Sequence, residues 1–226
     1  MFRDLLIANA VKSVDKWSDL GYYTTGLTTA LDGQFNASDT EHSSSVSSWF
    51  NHGSGGNVAL SGGAYTWAGD HLTITSALTG REIGTTSFTL EVCYKRVSGA
   101  VASAAASAFI VSFDDRAVIR NYDNGTKWEY YGAPDDWTTP HTLTVAYFGK
   151  GEICSVYLDG VLAVSTTISS KAWNADHVSL FGRISPNGNT EFFRGDIYAV
   201  RHYNNRRLSA SQVAANYAID KERFGL

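Results

Sequence analysis

Apolar and polar residues alternate with period two in short runs along most of the chain, the pattern of half-buried strands. Phe88, Leu90, Val92 and Tyr94 share one parity against Thr89, Glu91, Cys93 and Lys95. Phe109, Val111 and Phe113 alternate with Ile110 and Ser112, and Leu143, Val145 and Tyr147 share one face of the run HTLTVAYF. Further on, Ile197, Ala199 and Arg201 alternate with Tyr198, Val200 and His202. Two stretches read as helix instead. Residues 1–20 bring Leu6, Ala10, Val14 and Trp17 close to one face, which Phe2, Ile7 and Val11 broaden. In the second, Ser209 stands three residues before Gln212, the spacing of a capping box, with Leu208 and Val213 placed as a hydrophobic staple. Val213, Tyr217 and Ala214, Ala218 then give that helix an apolar stripe. The Ala- and Ser-rich segment 97–107 reads as a loop.

Turn chemistry sets the expected strand pairing. In VIRNYDNGTKWEYY, Asn124-Gly125 is a type I′ signal, because both residues tolerate positive φ. Counting outward, Asp123 pairs Thr126, Tyr122 pairs Lys127, Asn121 pairs Trp128 and Arg120 pairs Glu129, which sets opposite charges across from each other. In CSVYLDGVLAV, Asp159-Gly160 plays the same part, with Leu158 against Val161 and Val156 against Ala163.

Composition narrows the class. A chain of 226 residues that is 43% hydrophobic and 13% aromatic can bury a substantial core, so disorder is excluded. Twenty-one Gly and three Pro suit many short strands and tight turns. The net charge of −4 argues against a general nucleic-acid binder. No run of about 18 apolar residues is present, so no membrane partner is expected. Asp4 and Asn9 interrupt the first apolar stretch and no small-residue cleavage site follows. The expectation is a protein that stays in the cytoplasm or leaves by a route other than secretion, such as lysis. Cys93 and Cys154 make no metal-site spacing and lie in different patterns, which reads as two free thiols.

Three regions carry a family resemblance. FRGDIYAVRHYNNRRLSASQVAANYAIDKERFGL, residues 193–226, resembles the closing strand and helix of concanavalin A-like (laminin G-like) domains of bacterial and phage surface proteins. HTLTVAYFGKGEICSVYLDGVLA looks like that family's central pair of strands ending in a turn. From Tyr22, YYTTGLTTALDGQFN, SSWFNHGSGGNVALSGG and WAGDHLTI resemble its opening, with Trp49 and Trp67 as packing residues. The resemblance implies an all-β fold, a two-sheet antiparallel jelly-roll sandwich with a C-terminal helix and a short N-terminal helical arm. Residues 1–21 would be the arm and 22–226 the sandwich.

That fold also carries glycoside hydrolases, so catalysis has to be weighed. Retaining hydrolysis needs two carboxyl groups about 5–5.5 Å apart, and the fold's glucanases space their acids as Glu-x-Asp-x-x-Glu. No such triplet occurs here. Asp114-Asp115 and Asp135-Asp136 are adjacent pairs that read as turn carboxylates. Gly-x-Ser-x-Gly, His-x-x-x-His, Cys-x-x-Cys, Walker and dinucleotide-binding patterns are absent. The expectation is no catalytic residue and no enzyme. No cofactor is expected either. Calcium is weighed at Asp114 and Asp115, with Asp123 and Asn124 already explained as turn residues.

Carbohydrate binding is the sharper hypothesis, because sugars stack C–H faces on aromatics and are oriented by a few polar groups. Asn121, Trp128, Tyr130 and Trp137 offer that mix, against the reading in which Trp128 and Tyr130 fill the core. Phe2, Leu6, Ile7, Val11, Val14 and Trp17 would be the face by which the arm docks on a neighbouring subunit, against packing on the sandwich itself. The function expected is a non-enzymatic surface or structural module, most simply a phage virion component such as a head decoration or fibre protein. Its partners would be other virion or surface-assembly subunits and glycans. The alternatives are a glycan-active enzyme of the same fold and a carbohydrate-binding module of the bacterial cell surface.

Overall fold

The computed structural model describes residues 17–35, 48–61, 65–75, 79–80, 87–96, 108–113, 117–122, 125–128, 131–132, 139–148, 152–167, 178–180 and 193–226, with 79–80, 108–113, 117–122, 125–128, 131–132 and 178–180 described through backbone pairing. The strands run β1 (Leu27–Asp32), β2 (Ser48–Trp49), β3 (Val58–Ser61), β4 (Tyr65–Trp67), β5 (Leu72–Ile74), β6 (Thr79–Gly80), β7 (Phe88–Arg96) and β8 (Ala108–Phe113). They continue as β9 (Ala117–Tyr122), β10 (Gly125–Trp128), β11 (Tyr131–Gly132), β12 (His141–Tyr147), β13 (Ile153–Leu158), β14 (Val161–Thr167), β15 (Val178–Leu180) and β16 (Gly195–Asn204), followed by helix α1 (Ala210–Phe224). Two antiparallel sheets result. The first has the order β14-β13-β12-β7-β16-β5-β4, with β1 also paired to β16; the second has the order β11-β10-β9-β8-β15-β6-β3-β2. The expected all-β sandwich with a C-terminal helix is the fold observed.

The main core lies between the sheets. Phe88, Leu90, Val92 and Tyr94 of β7 point into it with Leu143, Val145 and Tyr147 of β12, as their alternation predicts. They meet Trp49, Val58 and Leu60 from the second sheet, and Trp67 packs edge-on against Trp49 at 5.1 Å. Cys154 belongs to this core while Cys93 faces the helix beside Tyr198, Ala199 and Phe224. Both thiols are free. Burial pushes both up, Cys154 to about 12, which leaves little of the reactive thiolate.

The C-terminal helix starts where its sequence says it should. Ser209 Oγ accepts from Gln212 N–H at 3.3 Å, and Ser209 N–H donates to Gln212 Oε1 at 2.8 Å. Leu208 and Val213 are both buried in one cluster, as a staple requires. Gly225 ends the helix at φ 70°, a conformation that costs a residue with a Cβ.

Four sequence expectations are corrected. The bulge at Tyr198, between the pairs Ile197↔Tyr94 and Ala199↔Cys93, breaks the parity of β16. Ile197 therefore shares the core face with Val200, while Tyr198 and Ala199 turn towards the helix. The helix does not bury Ala214 or Ala218, which are exposed; its buried line is Val213, Asn216, Asp220 and Phe224. In the β9–β10 hairpin Tyr122 pairs Gly125 rather than Lys127, and Trp128 lies opposite Ile119 rather than Asn121. That register also sets Arg120 across from Lys127. In the β13–β14 hairpin Leu158 does pair Val161, with φ 50° at Asp159 and 76° at Gly160, but a bulge at Ala163 brings Val164 opposite Val156.

Candidate functional site

The first sheet is occupied on both faces. Its face away from the main core meets α1 through apolar contacts at Val213 and Phe224 and an ionic centre between them. β7 supplies Glu91 and β16 supplies Arg201, paired at neighbouring positions across the two strands. Arg201 Nε donates to Glu91 Oε2 at 2.8 Å, and its two terminal nitrogens donate to Asp220 of α1 at 2.8 and 2.5 Å. All three side chains are fully buried. A fork with five donors between two planar carboxylates is the arrangement in which arginine outperforms lysine.

Both carboxylates accept from further donors. Asn216 Nδ2 donates to Glu91 Oε2 at 2.8 Å and to the Tyr203 hydroxyl at 2.9 Å. Thr144 Oγ1 donates to Glu91 Oε1 at 3.4 Å, and Thr142 Oγ1 to Asp220 Oδ2 at 3.2 Å. The Tyr22 hydroxyl donates to Asp220 Oδ1 at 2.7 Å. Its ring lies 4.5 Å below the Arg201 guanidinium, with Trp17 at 5.9 Å. One turn further along the helix, Arg223 donates to Asp32 at 2.6 Å and to Gln34 at 2.9 Å.

Burial works against the Arg201 charge, but Asp220 and Glu91 outweigh it and keep the guanidinium protonated well above the ordinary range. Burial raises Glu91, against the pull of Arg201 and Asn216. These acids are spoken for. Sealed under a helix and bridged by one guanidinium, Glu91 and Asp220 cannot reach a substrate. The network is a structural clamp. Sequence reasoning missed it, though two signals were present: Arg201 directly follows the apolar run IYAV within a strand, and Asn216 and Asp220 stand at helical spacing between Val213 and Phe224.

A smaller titratable set is half-exposed. His71 Nδ1 lies 2.6 Å from Asp70 Oδ1 and its Nε2 lies 3.6 Å from Asp196, which also accepts from Thr73 Oγ1 at 2.8 Å. Among the described residues no group of three or more His, Cys, Asp or Glu could hold a metal ion. Asp114 and Asp115, the positions weighed for calcium, lie outside the described residues, between β8 and β9 in the chain.

Of the sugar-facing candidates, Asn121 falls in β9 and Trp128 in β10, neighbouring strands at one end of the second sheet. Tyr130 and Trp137 lie outside the described residues. The structure thus brings Asn121 and Trp128 onto one hairpin at positions separated by two pairs. Among the described residues, α1 contacts strands of the first sheet, β12 and β14. Of the proposed docking face, Phe2, Leu6, Ile7, Val11 and Val14 lie outside the described residues. Trp17 is corrected: it is 1% exposed and packed with Tyr22, Leu27, Ala30 and Leu208, because its indole walls in the two buried guanidiniums of the chain's own core.

No protein-family model matches the chain, and no curated protein does. Solved structures do. A mutant of Trypanosoma rangeli sialidase displaying trans-sialidase activity superposes with a TM-score of 0.63 at 15% identity, over 95% of this chain and 39% of that one. Domain 4 of AbnA, a GH43 extracellular arabinanase from Geobacillus stearothermophilus solved in complex with arabinotriose, gives 0.57 at 17% identity, over 87% of this chain and 100% of that one. The receptor-binding domain of botulinum neurotoxin type G gives 0.55 at 12% identity, over 87% and 52%. The chain therefore spans about two fifths of the sialidase. At these identities the likeness establishes a shared β-sandwich fold.

Proposed function

We propose that this chain is a non-catalytic carbohydrate-recognition sandwich. One observation carries the reading: the arabinanase domain that it covers completely is a unit of the same fold, solved with a trisaccharide bound. The closed state of Glu91 and Asp220 supports a module that binds without cleaving, since these buried acids are committed to Arg201. Asn121 and Trp128, with Tyr130 and Trp137, are the residues assigned to the sugar: aromatic faces for the C–H surface of a ring and an amide for its hydroxyls. The concanavalin A-like resemblance of residues 193–226 points the same way.

The finer reading is a phage virion component that carries this module on the particle, as a head decoration or fibre protein. It rests on the sequence resemblance to phage surface domains. Negative-stain imaging of particles labelled with an antibody against the chain tests it: surface labelling is expected, and unlabelled particles overturn it.

Binding is tested by a glycan array followed by calorimetry on the best ligand. Trp128→Ala should weaken binding by roughly tenfold or more, the effect of about 1.4 kcal/mol, with no sugar product released on prolonged incubation. An array without a ligand, or accumulation of a hydrolysis product, contradicts the proposal.

A further inference from the structure

Strand β1 is gripped from two sides by buried imidazoles. From β16 comes His202, opposite Thr29 and 1% exposed. Its Nδ1 lies 2.8 Å from Thr28 Oγ1, and the same hydroxyl donates its proton to the His202 carbonyl oxygen at 3.1 Å. A hydroxyl has one proton to give. Nδ1 must therefore be the donor, which leaves Nε2 as the bare nitrogen, buried without a partner. From the other side, His52 is 2% exposed and its backbone N–H donates to the Ala30 carbonyl at 2.9 Å. Its Nε2 lies 3.0 Å from the Phe35 carbonyl oxygen, which can only accept, so Nε2 carries the proton. Nδ1 is then the bare nitrogen, again buried without a partner. Each ring fits as one neutral tautomer and has no acceptor for a second proton.

We propose that His52 and His202 make β1 and its flanks, residues 17–35, an acid-releasable element of this fold. A second proton on either ring sets a charge and an unsatisfied N–H against apolar neighbours, and withdrawal of β1 returns the ring to water. Around His202 stand the Phe88 ring at 5.6 Å and, across the strand pair, Leu90. Burial alone lowers His202, to about 4. Around His52 stand the rings of Phe50 at 4.8 Å and Trp17 at 6.3 Å. The charges on that side are Arg223, over the Trp17 and Phe35 rings at 5.7 and 5.8 Å, and Asp32, already paired with Arg223. Glu91, Arg201 and Asp220 lie on the helix face of the sheet. Glu91, raised by burial, takes up a proton more readily folded than unfolded, so acid does not loosen the clamp through that group.

Release has a defined product. Trp17, Tyr22, Leu27 and Ala30 leave a cluster whose other members include Tyr203, Leu208 and Val213, exposing an aromatic surface only in acid.

Hydrogen exchange on the full chain, expressed as protection factors at pH 7.5 and pH 4.5, tests the proposal. The amides of Thr29, Ala30 and Leu31 should lose protection by on the order of fifty-fold, from an unfolded imidazole near 6.5 and a buried one near 4. Those of β12 should hold within about threefold, well short of a global transition. His52→Gln with His202→Gln should abolish the acid response. Unchanged β1 protection, loss in step with β12, or an unaltered response in the double variant overturns the proposal. If that variant does not fold, the wild-type His202 resonances decide: titration near 6.5 with β1 protection intact also overturns it.

Discussion

The two sheets of this sandwich are built for different tasks, and the contrast shows where to look for recognition. The first sheet has no idle face at its centre, while its edge strand β14 is largely exposed. One side of β7, β12 and β16 is apolar and packed on the second sheet. The other is polar and clamped to α1 through Glu91, Arg201 and Asp220. At these central strands a ligand would have to displace a helix or open a core to touch the sheet. The second sheet carries β9 and β10, where Asn121 and Trp128 fall, and the described helix lies elsewhere. Substitutions in the first sheet should therefore move stability, and substitutions on the β9–β10 hairpin should move binding.

The largest effect expected from breaking this contrast is at Arg201. Arg201→Met leaves Glu91 and Asp220 buried without their cation and should cost about 3–5 kcal/mol in denaturant unfolding. Folded protein that remains should still bind the sugar. Changing Glu91→Gln and Asp220→Asn as well removes the stranded charges and should recover part of the loss. If Arg201→Met costs under about 1 kcal/mol, the clamp is not what holds the helix.

On the opposite face of the same sheet, Leu90→Ala opens an apolar cavity and should cost about 2–5 kcal/mol. This loss should be independent of ionic strength, which calorimetry at low and high salt can check. The pH dependence comes next in size. His202 is lowered to about 4 by burial, so the unfolded chain binds the extra proton between about pH 6.5 and 4, and stability falls as pH drops through that window. The full contribution is up to about 3 kcal/mol. Glu91, raised by burial, contributes with the opposite sign just above the ordinary carboxylate range. A flat stability profile from pH 7 to 4.5 in wild type would contradict the assignment of His202. The smallest effect is at the helix start: Ser209→Ala should cost about 1 kcal/mol by removing the cap, read as a modest shift of the thermal midpoint.

Much of this architecture is legible where a local rule acts alone. The capping box at Ser209 and Gln212, the staple at Leu208 and Val213 and the Asp159-Gly160 turn follow from nearest neighbours in sequence, and all are present. Legibility ends where a distant partner decides. The bulge at Tyr198 is set by pairing with β7, and no feature of IYAVRHY announces which residue is extra. Counting alanine as apolar pointed to Ala214 and Ala218, yet the helix buries Asn216 and Asp220, because the surface beneath it is Glu91 and Arg201. Asn-Gly is the strong local turn signal, yet Tyr122 pairs Gly125, a register that the local signal does not announce. For the candidate sugar site, sequence placed Asn121 and Trp128 on one hairpin and the structure does the same, with a different register between them.

Trp128→Ala tests the division between the sheets most directly, because its two readouts separate. Affinity for the best glycan and the free energy of unfolding should be measured on one preparation. The account predicts binding weakened by roughly tenfold or more, with stability held within about 0.5 kcal/mol as at a surface position. A loss of about 3–5 kcal/mol in stability with affinity unchanged would make Trp128 a core residue and contradict the account.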